Sequence, residues 1–304
     1  FGTGGILWFA RRKYDQHDLG KREGYLIVVL TWVIISFFGA LPFYLSHAIP
    51  SFTDAYFETM SGFSTTGASI LRDIEIVPKG LLFWRSLTHW IGGMGIIVLS
   101  IAILPFLGFG GMSLFWAEVP GPEKEKLHPR IAVTARRLWG IYAALSLAMV
   151  IMLMLGGMNL FESLCHAFGA LSSGGFSPKN TSLAGYSPYI QYVAILFMFL
   201  AGTNFTLHYL LIRGSVKKAL SGQEFRSYLL VLLIPAAIIA IALFFERGYG
   251  IEQAWRSALF NVVSIVTCTG FANEDYMLWP FFAWFIIFLL MFSGGMAGST
   301  SGGI

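Results

Sequence analysis

Long uncharged apolar stretches alternate with shorter, more polar ones along this chain, and the alternation repeats. Apolar runs at 25–45, 138–161, 189–212 and 227–245 reach or exceed the roughly 19–20 residues that a helix needs to cross about 30 Å of hydrocarbon. Two more, near 80–107 and 277–304, are as long but interrupted, the first by Arg85 and His89, the second by glycines. Six spanning helices are predicted. Between the members of each pair lies a segment at 53–63, 160–171 or 251–265, about 17–22 Å long at 1.5 Å per residue and so too short to cross. Each short segment runs into a small, hydroxyl-rich turn centred on a glycine: Ser64-Thr65-Thr66-Gly67-Ala68-Ser69, Ser172-Ser173-Gly174-Gly175-Phe176-Ser177 and Thr267-Cys268-Thr269-Gly270-Phe271-Ala272. The glycines are 108 and then 95 residues apart, and six positions before each stands a small residue, Ser61, Gly169 or Ser264.

A helix too short to span must re-enter on the side from which it came. Backbone that leaves a helix at membrane depth is tolerated only where protein packs around it or it lines a water-filled cavity. A half-helix also points its partially negative C-terminal end inward, which favours a cation there. Any one of these segments by itself reads as an ordinary glycine-capped turn; three in register between spanning helices read as an ion pore. No carboxylate lies within the turns, whereas divalent-cation filters use rings of Asp or Glu, so a monovalent cation is expected. The candidate filter residues are Thr65, Thr66, Gly67, Ser173, Gly174, Gly175, Cys268, Thr269 and Gly270. Backbone carbonyls of Thr66, Gly67, Gly174, Gly175, Thr269 and Gly270 are the expected ion ligands.

Composition agrees with the class. Of 304 residues 56% are apolar and 12% charged, against about 25% charged in a soluble domain. Placing the segments before 25, at 108–137 and at 213–226 on one side gathers 14 of the 20 Lys and Arg there, which makes that side cytoplasmic and turns the short segments outward. Nine of the 16 acids, Glu58 among them, fall on the outer side, either as a weak cation-concentrating field or as plain solvated loop charge. The net charge of +4 needs no nucleic acid. Cys165 and Cys268 are not in metal-ligand spacing, and neither a nucleotide-binding loop nor a catalytic triad is present, so neither an enzyme nor a bound cofactor is expected. Residues 1–10 ahead of Arg11-Arg12-Lys13 read as the cytoplasmic end of a helix cut off upstream.

Polar positions inside the spans carry further expectations. Arg85 and His89, one turn apart at an outer helix end, are read as interface anchors in preference to an ion relay. Asn204 and His208 are read as interhelical hydrogen-bonding residues. Gly92-Gly93-Met94-Gly95 is assigned to close packing, because bulky residues resume at once. Residues 293–303 carry five glycines, each costing about 1 kcal/mol relative to Ala in a helix. A straight helix is not expected there, although small-residue helix packing is the competing reading.

The turns, Trp90-Ile91-Gly92-Gly93-Met94-Gly95-Ile96, Gly202-Thr203-Asn204-Phe205 and, above all, Gly294-Gly295-Met296-Ala297-Gly298-Ser299-Thr300-Ser301-Gly302-Gly303 together resemble the TrkH-type potassium uptake subunits of the Trk, Ktr and HKT superfamily. The resemblance implies an all-α integral membrane fold of repeated helix, pore loop, helix units, potassium-channel-like, around a pseudo-fourfold pore in the full-length protein. It implies K⁺ as the transported ion and a multi-pass place in the bacterial inner membrane. It also implies a homodimer with a cytoplasmic nucleotide-binding ring of the TrkA kind, and a pore-obstructing loop formed by Gly294, Gly295, Gly298, Ser299, Thr300, Gly302 and Gly303.

The expected division of the chain is an upstream helix end and linker at 1–21, a first repeat at 22–107, a cytoplasmic loop at 108–131, a second repeat at 132–214 and a third, truncated, at 215–304; a fourth is absent from the chain. The loop 108–131, with Lys124, Lys126 and Arg130, is read as facing lipid headgroups or docking the ring. A Na⁺-coupled secondary transporter with broken helices and a non-conducting assembly subunit are the rival readings.

Overall fold

The structure is a computed structural model that describes residues 21–107, 127–216 and 220–302. Residues 1–20 of the expected linker, most of the 108–131 loop with Lys124 and Lys126, and Gly303 lie outside the described residues. Among those described the fold is all helical. Three long helices, α1 (Lys21–Leu45), α3 (Lys79–Leu107) and α4 (Leu127–Leu155), are interleaved with two short ones, α2 (Phe52–Phe63) and α5 (Leu160–Leu171). A broken pair follows, α6 (Pro188–Ala201) and α7 (Phe205–Ile212), then α8 (Gln223–Arg247), α9 (Ile251–Val266), a 3₁₀ turn at Tyr276–Leu278, and α10 (Phe281–Leu290).

One packing scheme recurs three times. A short helix, α2, α5 or α9, lies against the long helix before it and the helix after it. The helix after it in turn reaches the short helix of the next trio, α3 touching α5 and α6 touching α9. Local sequence starts these short helices: Ser51 accepts from the Asp54 N–H and Asn159 from the Glu162 N–H, and Asp54, Glu162 and Glu252 place a carboxylate against the positive end of the helix dipole. The observed bounds of the short helices match the expected ones to within a residue at either end.

Two of the six expected spans need correction. Three helical stretches are long and apolar enough to cross a membrane, Val28–Leu45, Thr134–Leu155 and Gln223–Arg247, or four if α6 and α7 count as one, among the described residues. α6 and α7 meet at a 99° bend, so the apolar run at 189–212 is not one straight span. The run at 277–304 holds only the 10-residue α10 before the chain leaves the helix. α4 starts at Leu127, inside the expected loop, with Pro129 in its first turn, where the missing N–H has no intrahelical partner to lose. Large apolar side chains on the outer faces of α1, α4, α8 and α10, such as Val29, Leu147, Ile241 and Phe281, are exposed, a surface suited to hydrocarbon and not to water.

Candidate functional site: three stacked turns

Each short helix ends in the same way. The Thr65 N–H donates to the Gly62 carbonyl at 3.1 Å and the Thr66 N–H to that of Ser61 at 2.9 Å. The bonds recur as Ser173 to Ala170 and Gly174 to Gly169, and as Cys268 to Ile265 and Thr269 to Ser264, all at 2.8–3.1 Å. This pair of closing bonds is the Schellman cap, whose left-handed residue is usually glycine. Here it is not. Thr65, Ser173 and Cys268 take φ of 55°, 55° and 56°, at about 1–2 kcal/mol each for a residue with a Cβ. They are three of only five non-glycine residues with positive φ among those described. Gly67, Gly175 and Gly270 follow two positions on with φ of 75–76°. Strain of this size persists only where the surrounding structure over-determines the backbone, and here it recurs at one position of three turns.

The turns touch in chain order. A Cβ on Gly67 would overlap the carbonyl oxygen of Gly174, and one on Gly175 would overlap that of Thr269. In both pairs the glycine of one turn abuts the carbonyl just before the glycine of the next, so the turns are successive arcs with one neighbour relation. A Cβ on Gly270 would meet no atom within 4 Å among the described residues. The middle turn, flanked on both sides, is buried at Ser172, Ser173 and Gly174, whereas Thr66, Cys268 and Gly270 are exposed. All nine candidate filter residues are thus in one place, with six of their carbonyls on adjoining turns.

The packing assignment for the first glycine cluster holds. A Cβ on Gly92 would overlap the Phe63 carbonyl, and one on Gly93 would lie 2.8 Å from the Ser172 Cα. α3 therefore runs in contact with the first and second turns. Below the turns, residues 293–302 are not helical, which rules out small-residue helix packing. Thr300 Oγ1 and Ser173 Oγ are 3.1 Å apart, and the Cys268 thiol lies 3.8 Å from the Gly302 carbonyl. The segment is held to the break between α6 and α7: the Met296 N–H donates to Gly202 O at 2.8 Å, Thr300 N–H to Ala201 O at 3.3 Å and Phe205 N–H to Gly298 O at 3.1 Å. Gly295 closes the segment on itself through Gly302, with its N–H donating to that carbonyl at 3.1 Å. Ser299 Oγ donates to Met296 O at 2.7 Å, and the Ala297 N–H donates to Glu224 Oε1 at 2.8 Å. Among the described residues no such bond involves Gly294. Asn204 does not bridge helices: it caps α7 by accepting from the Thr206 N–H. His208 bonds back to the Leu200 carbonyl at 2.9 Å.

Arg85 and His89 are not interface anchors. Both are buried, at 2% and 0% exposure. Arg85 Nε donates to Glu58 Oε1 at 2.6 Å, Nη1 donates to the Ser177 carbonyl at 3.2 Å, and the guanidinium lies 3.4 Å over the Phe176 ring. His89 stacks on the same Phe176 ring, with centroids 3.8 Å apart. Glu58, placed by charge counting at an outer mouth, is 1% exposed. Distances along the chain of 27 and 92 residues separate Arg85 from these partners, so no local pattern announced them. Outside the turns, Asn180 ties two loops by donating to Asp73 and accepting from the Ile74 N–H, each at 2.8 Å. Tyr186 donates to Glu162 Oε2 at 2.9 Å; burial and that carboxylate push its phenol above the ordinary range.

A family model for TrkH, described as a cation transport protein, matches residues 1–246. The chain belongs to the TrkH family. It is 41% identical over 306 residues to the Trk system potassium uptake protein TrkH of Escherichia coli K12, covering 99% of this chain and 63% of that protein. It is 37% identical over 310 residues to TrkG of the same organism, covering 100% of this chain and 63% of that one. The crystal structure of the potassium transporter TrkH from Vibrio parahaemolyticus superimposes with a TM-score of 0.88 at 36% identity, covering 99% of this chain and 62% of that one. The chain thus spans about 63% of the length of the TrkH relatives it matches.

Proposed function

We propose that this chain contributes three arcs of a potassium-selective filter in the bacterial inner membrane, through which K⁺ passes inward by way of backbone carbonyls. The observation that carries the reading is the shared neighbour relation of the three turns. Strained residues at equal positions and glycines abutting the next turn's carbonyl are what a ring of carbonyl ligands needs, because an oxygen cage replaces a hydration shell only if its members are close and fixed. The names of the relatives supply the ion. Na⁺-coupled transporters with broken helices are usually built on inverted repeats, whereas these trios repeat in one sense. The test is uptake of ⁸⁶Rb⁺ by liposomes holding the full-length protein: K⁺ should compete and Na⁺ should not, and equal competition by both would sink the reading.

The segment 293–303 is the proposed gate, resting on the non-helical path of residues 293–302 beside Ser173 and Cys268 and on their backbone bonds to the α6–α7 break. Shortening it is expected to raise cation flux several-fold without any partner, since an obstruction is removed while the helices remain. Flux and detergent melting temperature measured side by side check this, and a well-folded deletion with unchanged low flux would count against the gate. The homodimer and the cytoplasmic nucleotide-binding ring remain part of the proposal, with the basic 108–131 face as the docking side for the ring and for anionic lipid.

A further inference from the structure

Counting nine residues back from each filter glycine reaches a different polar side chain in each turn: Glu58, His166 and Asn261. All three are buried, and each bonds across the back of its turn to the segment that climbs away from the glycine. Glu58 accepts from Ser69 Oγ at 3.0 and 3.2 Å and from the Ile70 N–H at 2.8 Å. His166 Nε2 pairs with Ser177 Oγ at 3.1 Å. Because His166 Nδ1 faces the Glu162 carbonyl at 2.8 Å, a pure acceptor, it must carry the proton, and Nε2 accepts from the serine. Asn261 Nδ2 donates to Asn273 Oδ1 at 2.8 Å.

The receiving end repeats as well. Ser69 and Ser177 each stand two residues after the glycine, and each accepts from the N–H two positions further on, Leu71 at 3.2 Å and Lys179 at 3.0 Å. In the third turn that position is Ala272, which has no hydroxyl, and the next residue, Asn273, takes over the bond. Asn273 is itself held by Gln191 Oε1 at 3.1 Å, which also accepts from Arg256. An acid, an imidazole and an amide therefore do the same mechanical task at one position. Their shared property is the bridge, not the charge.

We propose that Glu58, His166 and Asn261 are positioning residues for cation discrimination: each fixes the span of its turn, and so the spacing of carbonyls it never touches, by tying the short helix to the ascending segment. The inference rests on the reading of the turns as an ion filter. A turn clamped at its back keeps its oxygens apart when a smaller ion would draw them together, and an unclamped one collapses around it, so loss of a clamp favours Na⁺ relative to K⁺.

The experiment is ⁸⁶Rb⁺ uptake by the full-length protein in liposomes, competed separately with K⁺ and Na⁺, with melting temperature recorded for each variant. Ser177→Ala is expected to lower the K⁺ over Na⁺ preference about three- to tenfold, the scale of one buried hydrogen bond, and Ser177→Thr, which keeps the hydroxyl, to restore it. Asn261→Ala should lose preference in the same direction. Should Ser177→Ala fail to fold, Ser69→Ala at its exposed position reads the equivalent bond. Full discrimination in folded Ser177→Ala, Ser69→Ala and Asn261→Ala would overturn the inference, as would a Ser177→Thr variant no better than Ser177→Ala. A wild-type protein that takes up ⁸⁶Rb⁺ without preferring K⁺ to Na⁺ would instead defeat the filter reading itself, and this inference with it.

Discussion

Gly175→Ser is expected to cost the full-length protein its K⁺ over Na⁺ preference, by about tenfold or more. Two effects act together at this residue. Its φ of 76° lies in the left-handed region, at about 1–2 kcal/mol for any residue with a Cβ, and the added carbon would overlap the Thr269 carbonyl oxygen. The neighbour is backbone and cannot rotate away, so the carbonyl must move, and it is one of the proposed ion ligands. Gly67→Ser meets the same conflict against Gly174. Gly157 is the control. It has a φ of 91° but open space around it, so Gly157→Ala carries the strain without the clash and should leave the ion preference intact. Competitive ⁸⁶Rb⁺ uptake checks the ratio, and expression level separates a filter defect from a folding one. Equal ion ratios in wild type, Gly67→Ser and Gly175→Ser would remove the turns from the pathway.

Removing either partner of the Arg85–Glu58 pair should be the most destabilising single change among the polar residues that support the turns. The side chains are 3% and 0% exposed, and stranding one buried charge costs about 3–5 kcal/mol. Glu58→Ala also orphans the Ser69 hydroxyl and the Ile70 N–H, and Arg85→Ala frees the Ser177 carbonyl and uncovers the Phe176 ring. Because these segments climb from the first and second turns, both turns should loosen. Glu252→Gln gives the contrast: it weakens an ion pair whose acid is 58% exposed, worth about 0–1 kcal/mol at a surface. Thermal unfolding in detergent should rank Glu58→Ala and Arg85→Ala far below Glu252→Gln. The double change Glu58→Gln with Arg85→Met should recover part of the loss, since no lone charge remains. Melting temperatures that do not separate the three single variants would show that the buried pair contributes no more than a surface one.

Much of this arrangement is legible in the amino-acid sequence. The short helices follow from apolar runs of the wrong length to span, and α2, α5 and α9 lie where that argument placed them. The turns follow from glycines at equal offsets with small residues six positions earlier, Ser61, Gly169 and Ser264, whose carbonyls indeed receive the closing N–H bonds. These are local regularities, written in neighbours within one turn of chain. The same holds for the glycine-rich segment at 293–302, where helix propensity alone argued against a helix.

What the sequence by itself determined, then, was the class of element and its rhythm, because length, hydropathy and glycine placement act through contacts only a few residues apart. Tertiary structure alone decided the rest. Arg85 looked like an interface anchor because an arginine near a helix end ordinarily snorkels; only a carboxylate 27 residues away and a carbonyl 92 residues away make its burial tolerable. The apolar run at 189–212 looked continuous because nothing local forbids a helix through Gly202-Thr203-Asn204; the break is fixed by the segment near Gly298, which takes up the carbonyls and N–H groups that the break sets free. The carbonyls against Gly67 and Gly175 each belong to the next turn, about 100 residues on. A backbone polar group is satisfied by whichever partner the fold brings within 3 Å, and that choice is made between segments, where no spacing along the chain records it.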